Sequence, residues 1–273
     1  MRAKRSLGQN FLVDPNIQRK IVDAVEPESA DTVVEIGPGH GALTDALAAR
    51  ATRLVAVELD DDLAAALRAR FADARGVTIV HGDVLTWDPA AVLGRGTVRV
   101  VGNIPYNITS PILFRLLQWR PLPERIILMV QREVADRLAA PPGDREYGAM
   151  TVGVRAVADV ERLFHVGRGA FRPVPNVDST VLRIAPRPEA WAGAGGRLRS
   201  LTRAAFGLRR KQLQKILRTA PGYGLSREEA ETVLAEVGLR PEDRPEVLDP
   251  PAFIELAAAL ERRGFPRAEG PDS

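Results

Sequence analysis

A parallel α/β sheet with helices on both faces, followed by a small all-helical domain, is the fold class this sequence predicts, and three observations predict it. Short runs rich in valine and isoleucine alternate with helical stretches through the first half of the chain, the order of a sheet whose strands are buried on both sides. After Pro186 the strand-like runs stop and the apolar residues recur at helical spacing. The 273 residues, 45% hydrophobic, 27% charged and 5% aromatic, have the composition of a soluble globular protein. That length suits one domain of about 150 to 200 residues plus a smaller one.

Taken in order, "DTVVEI" is the first strand and a helix follows from about Ala42 to Arg50. "RLVAVEL" is the second strand, with a helix from Asp61 to Phe71, and "VTIVHGD" is the third. "TVRVVGN" precedes a helix from Pro111 to Trp119, and "RIILMVQ" completes the parallel set. "DVERLFHV" and "STVLRIAP", joined by the proline-bearing "GRGAFRPVPNVD", read as an antiparallel pair at one sheet edge. The first domain, with its N-terminal arm, is therefore expected over 1–186, and the alanine- and glycine-rich stretch 187–196 is its linker. Residues 197–265 form the helical domain: "RLRSLTRAAF", "RRKQLQKILRT", "SREEAETVLAEVG" and "PAFIELAAALERR", with Ser226 and Glu229 placed as a capping box. The tail 266–273 is expected to fray.

The chain has no cysteine, which excludes a disulfide framework, a thiolate metal site and a cysteine nucleophile. Its three histidines, His40, His81 and His165, are too scattered to suggest a metal centre. The basic N-terminus has no apolar segment behind it, and no run approaches the roughly 18 apolar residues a membrane span needs. A cytoplasmic protein, monomeric and without metal or membrane partner, is the expectation.

Formal charge is only +3, but its distribution is uneven. No acidic residue lies between Ala190 and Arg227, while Arg197, Arg199, Arg203, Arg209, Arg210, Lys211, Lys215 and Arg218 all do. Such a block attracts polyanions, with counterion release from phosphates as the driving force. A solvated helix face is the plainer alternative.

The first strand runs into Gly37-Pro38-Gly39-His40-Gly41 and then a helix, a turn in which glycines let a ligand approach the backbone and meet N-H groups at a helix start. Such turns also serve packing alone, and the G-x-G-x-G spacing departs from that of dinucleotide folds. Glu58 ends the second strand about 20 residues on, where a carboxylate can accept from both hydroxyls of a ribose. Asp83 ends the third strand, placed to hold an adenine's exocyclic amine. Ligands of open α/β sheets bind beyond the carboxyl ends of the strands, so Gly37, Glu58, Asp83 and Asn103 converge on one crevice for a nucleoside cofactor.

In "GNIPYNI", Gly102 to Ile108, an amide, a proline and an aromatic ring crowd a strand end. The lone pair of an amino group on a purine is delocalised into the ring, so the group must be held to react. The Asn103 side-chain carbonyl and the Ile104 main-chain carbonyl can each accept one of its N-H groups. Pro105 fixes the backbone that aims them, and Tyr106 offers a face for a base taken out of its helix. This is catalysis by positioning. A proline turn with a core tyrosine is the alternative.

These residues resemble those of the KsgA-type rRNA adenine N6-dimethyltransferases. The resemblance covers nearly the whole chain: "GQNFL" from Gly8, "EIGPGHGALT" from Glu35, Glu58, Asp83, "GNIPYNI", "VQREVADRL", "YGAMTV", "FRPVPNVDS" and "AFGLRRKQL". It implies a Rossmann-like class I methyltransferase fold and S-adenosylmethionine as cofactor. Asn10 and Leu12 would fold over the cofactor, whose site Gly37, Glu58, Asp83 and Asn103 complete. Asn103 and Tyr106 would act on the target adenine, and Phe171 would stack on its other face, although Phe171 could also cap the core. The implied partner is a small ribosomal subunit precursor with its 16S rRNA, dimethylated on two adjacent adenines of the 3′-terminal hairpin loop. Arg203, Arg209, Arg210, Lys211 and Lys215 would grip its phosphates. Asn176 departs from the family's usual lysine and removes one phosphate contact. Competing readings are the erythromycin-resistance methyltransferases, which act on 23S rRNA and share "QNFL" and "NIPY", and a noncatalytic RNA-binding assembly factor on the same fold.

Overall fold

The computed structural model describes residues 10–93, 96–105, 108–188 and 196–266. Tyr106, the middle of the expected linker (189–195) and the tail from 267 lie outside them. The chain divides into two compact units, one of residues up to Ala135 with Val160–Pro186, the other of Asp136–Asp159 with the chain from Arg187 onward.

The first unit opens with a two-residue strand β1 (Phe11–Leu12) and helix α1 (Pro15–Val25). Alternation then begins: β2 (Thr32–Ile36), α2 (Thr44–Ala48), β3 (Arg53–Glu58), α3 (Asp61–Arg70), β4 (Val77–His81), α4 (Ala90–Leu93), β5 (Val98–Asn103), α5 (Thr109–Leu116) and β6 (Arg125–Gln131). Helix α6 (Arg132–Ala139) runs across the division between units, and β7 (Ala158–Val166), β8 (Phe171–Arg172) and β9 (Ser179–Pro186) complete the strands. Seven strands form one sheet in the order β4-β3-β2-β5-β6-β9-β7. The first five are parallel and β9 runs antiparallel to β6, with Met129 opposite Val181, so the expected antiparallel edge is present.

Register decides where the chemistry goes. Ile36 lies opposite Val57 and Gly102, Glu58 opposite His81, and Asn103 opposite Met129, so the carboxyl ends of β2 to β5 finish at one edge. β2 and β5 are buried almost throughout because helices cover both faces, whereas β4, at the margin, is only partly covered. The core joins Ile21, Val22 and Val25 of α1 and Leu47 of α2 to Val33, Leu54, Val101, Ile127 and Val181 of the sheet. Each such side chain contributes about 1.5–3 kcal/mol of burial. At the opposite sheet edge Arg99, 3% exposed, is paired with Asp31, Glu28 and Glu124, which offsets the cost of burying its charge. Asp14 and Asp60 cap α1 and α3 by accepting from the free N-H groups of their first turns.

The second unit contains α7 (Ala149–Arg155), α8 (Gly196–Gly207), α9 (Leu213–Thr219), α10 (Arg227–Glu236) and α11 (Pro250–Arg262). Here the expected contiguous domain 1–186 needs correction, because Asp136–Asp159 packs with the C-terminal helices. The reason is Tyr147: its hydroxyl donates to Leu248 O at 2.7 Å, and its ring meets Phe206, which stacks on Phe253. A second difference concerns "RRKQ", expected to open a helix. Arg209, Arg210 and Lys211 lie in the turn before α9, whose first N-H groups, on Leu213 and Gln214, donate to Asp243 O and Pro241 O. The capping box of α10 is present, with Ser226 and Glu229 each accepting from the other's backbone N-H. Among the described residues no helix is long and apolar enough to cross a membrane.

Candidate active site

A cavity of about 330 Å³ opens at the carboxyl ends of β2 to β5. Its volume is that of a small-molecule site, and its place is where open α/β sheets bind ligands.

The turn after β2 forms its floor. Gly37, Gly39 and Gly41 have φ of 65°, 60° and 82°, a backbone that side chains disfavour. Gly37 N-H donates to Val57 O, which ties the turn to β3. A Cβ on Gly39 would lie 3.0 Å from the Phe11 ring, so glycine there lets β1 cross the cavity as a strap. The Phe11 ring also meets His40, with centroids 4.2 Å apart.

Two carboxylates stand side by side in this wall. Glu58, 5% exposed, accepts from Gly39 N-H and Asp60 N-H at 2.9 Å each, one through each oxygen. Those bonds orient the carboxylate and link the turn to α3, and each oxygen keeps a lone pair for a ligand hydroxyl. Glu35, 1% exposed, accepts from the Thr44 hydroxyl at 2.7 Å. Burial pushes its carboxyl up to about 8; the Thr44 bond opposes the rise, and the charges of Glu58 and Asp45 add to it. Asp83, beyond β4, accepts from Leu85 N-H at 2.9 Å, which bends the chain so that Val84 and Leu85 line the cavity. Leu59, exposed at 48%, joins them in an apolar wall suited to the flat face of a base.

Asn103 closes the site. Gly102 before it runs against β2, where a Cβ would lie 3.0 Å from Ile36 O and force the strands to give way, so glycine suits this close approach. The Asn103 side-chain amide donates through Nδ2 to Asn10 O of the strap at 2.9 Å. Ile104 is anchored by its N-H to Met129 O, and with Pro105 it forms the lip of the cavity.

The structure thus brings Asn10, Leu12, Gly37, Glu58, Asp83, Asn103, Ile104 and Pro105 to one cavity, while Tyr106 lies outside the described residues. Phe171 must be corrected. It is fully buried, packs in the core with Leu12 and Val181, and is absent from the cavity wall, because the β1–β8 pairing sets it opposite Leu12. A ring held there has no free face for a base. Arg209 is corrected as well. Its guanidinium pairs with Glu246 at 2.8 Å and donates to Arg145 O and Asp144 O, tying together three segments of the second unit. Arg203, Arg210, Lys211 and Lys215 are exposed and form no ion pair among the described residues. Sequence reasoning gave no role to Glu35, Thr44, Phe11 or Leu59. The legible signal was an acid inside a doubly buried strand, followed by the threonine that ends the same motif.

A profile of the family described as ribosomal RNA adenine dimethylase matches residues 1–243. The chain is 44% identical over 265 residues to the ribosomal RNA small subunit methyltransferase A of Geobacter metallireducens, covering 95% of this chain and 96% of that one. It is 42% identical over 266 residues to the protein of the same name from Geobacillus kaustophilus, covering 94% and 90%. Among solved structures, a dimethyladenosine transferase from Plasmodium falciparum superposes with a TM-score of 0.82 at 26% identity, covering 93% of this chain and 98% of that one. The 23S rRNA methyltransferase ErmE does so at 0.69 and 30% identity, covering 92% and 100%. With a match over most of its length and a strand-end cavity built from the residues that carry the resemblance, this chain belongs to the ribosomal RNA adenine dimethylase family.

Proposed function

We propose that this protein uses S-adenosylmethionine to dimethylate N6 of two adjacent adenines in the 3′-terminal hairpin loop of 16S rRNA, acting as a monomer on a small-subunit precursor in the cytoplasm. The observation that carries this reading is the identity of 42–44% to small-subunit methyltransferases over nearly the whole chain, joined to a cavity whose polar groups suit that cofactor.

The fit follows from the groups present. Glu58 has lone pairs left for ribose hydroxyls, Asp83 stands where an exocyclic amine can donate, and Leu59, Val84 and Leu85 supply the apolar faces of an adenine slot. The negative wall of Glu58 and Asp83 suits a cationic ligand. When bound, the cofactor supplies an electrophilic sulfonium methyl.

The chain's own part is positioning. Asn103 Oδ1 and Ile104 O accept the two N-H groups of the adenine amine and turn its nitrogen toward the methyl. Pro105 restricts the backbone between these acceptors and Tyr106, and Tyr106 receives the face of the flipped base. Holding the amine this way recovers orientation entropy that reaction in solution would have to supply. The strap excludes water from the methyl while Arg203, Arg210, Lys211 and Lys215 contact phosphates.

The 30% identity to ErmE supports a second reading, methylation of 23S rRNA. Methyl transfer from labelled cofactor to small subunits lacking the modification, compared with naked 23S rRNA, separates the two. Labelling of adjacent adenines in the small subunit is the expected result, and labelling of 23S rRNA alone would overturn the proposal.

A further inference from the structure

The bond between Asn103 and the strap ties the cover of the cofactor cavity to the proposed amine acceptor. Asn10 O can only accept, so the amide atom 2.9 Å from it is the donor Nδ2. In a planar amide that fixes Oδ1 on the other side. An Asn103 free of this bond can turn its amide by half a revolution and present N-H₂ where Oδ1 stood, and N-H₂ cannot accept from an amine. The direction of the acceptor therefore depends on the strap being closed.

The strap is held independently on its other sides. Leu12 pairs with Phe171, Val13 N-H donates to Ala170 O at 2.8 Å, and Gln18 Nε2 donates to Leu12 O at 3.1 Å. The Phe11 ring rests on Gly39 and His40. These contacts tie the strap to the β8 segment, to α1 and to the cofactor turn, while Asn103 ties it to β5.

We propose that Asn103 is a two-ended latch: its Nδ2 holds the Asn10 carbonyl of the closed strap, and that same bond aims its Oδ1 at the substrate amine, so that strap closure orients the acceptor before RNA arrives. The inference rests on the reading of Oδ1 as an amine acceptor given above. Asn10 contributes as a positioning residue through its backbone carbonyl, and the side chain of Phe11 contributes by seating the strap.

Two variants test it. Asn103→Asp keeps shape and acceptor but replaces the donor by an oxygen that repels Asn10 O. In protein loaded with S-adenosylmethionine and free of RNA, amide exchange across Phe11 to Val13 should quicken about tenfold, and cofactor affinity should fall about three- to tenfold, the worth of a lost hydrogen bond. Unchanged exchange would overturn the latch, and retained turnover at saturating cofactor would then leave the amine-acceptor reading standing. Turnover abolished even at saturating cofactor would sink that reading, since either carboxylate oxygen can still accept, and the latch with it. Phe11→Ala loosens the strap without touching Asn103. A latch predicts that its kcat at saturating cofactor drops about tenfold, whereas a simple lid would raise only the KM for cofactor, and that split would overturn the proposal. Thermal unfolding of both variants, read in parallel, separates these effects from loss of fold.

Discussion

Glu35 carries its own pH signature. Its folded value of about 8 stands above the ordinary 4.5, so between those two pH values the native state keeps a proton that the unfolded chain has lost. The contribution of Glu35 to stability therefore falls as pH rises through that window and is level on either side, by an amount on the order of a few kcal/mol. Glu35→Gln, which can still accept from Thr44, should abolish the slope: the urea midpoint of the parent relative to the variant should drop from pH 5 to pH 8.5. A constant difference would refute the assignment. The position of this acid could be read from "DTVVEI", but its charge state could not, since the complete burial that raises it, and the smaller push from Glu58 and Asp45, exist only in the fold. Phe171 teaches the same lesson in reverse. An aromatic in a proline-bounded loop suggests a stacking platform, yet a two-residue pairing with β1 sends it into the core. Phe171→Ala should accordingly cost about 3–5 kcal/mol of stability in urea unfolding. A stable variant defective only in turnover would restore the stacking role.

Among the elements, the β-branched strands were legible because burial on both faces leaves them little besides valine and isoleucine. Helix α2 came out shorter than the apolar spacing implied, its ends being taken up in turns, while α5 is shifted, beginning at Thr109 and ending at Leu116 rather than running from Pro111 to Trp119. What could not be read were β1 and β8: two residues carry no periodicity, and their pairing joins segments far apart in the chain. Yet this pair places the strap, and the strap makes demands on the cofactor turn. Gly39 has φ of 60° and the Phe11 ring beside it, so Gly39→Ala both strains the turn and pushes the strap outward. Cofactor affinity should fall by about tenfold or more, and Phe11→Leu in the same chain should recover part of it because the smaller side chain makes room. Equilibrium titration with S-adenosylmethionine checks both, and no recovery in the double variant would place the defect in the backbone alone.

For the whole molecule, the change from alternating to purely helical patterning at Pro186 was visible, but the allegiance of Asp136–Asp159 was not, because Tyr147 finds its partner 101 positions away at Leu248. The same distance effect divides the basic block. Charge counting treats Arg209, Arg210 and Lys211 as equals, whereas the fold uses Arg209 to bind Glu246 and two backbone carbonyls. Two consequences separate. Arg209→Ala leaves Glu246 without its partner and frees the Asp144–Arg145 segment, so it should lower the stability of the second unit by about 1–3 kcal/mol. It should leave the salt dependence of subunit binding nearly as it was. Reversing Arg203, Arg210, Lys211 and Lys215 to glutamate should do the opposite, since these exposed cations hold no internal ion pair among the described residues. If each neutralises one phosphate, the slope of log affinity against log salt should shrink by roughly three units, at about 0.7–0.9 per phosphate. Binding to small subunits would then be weakest relative to the parent at low salt and converge with it at high salt. Parallel salt curves for parent and variant would mean that this face is merely solvated, and the RNA contact would have to be sought elsewhere on the chain.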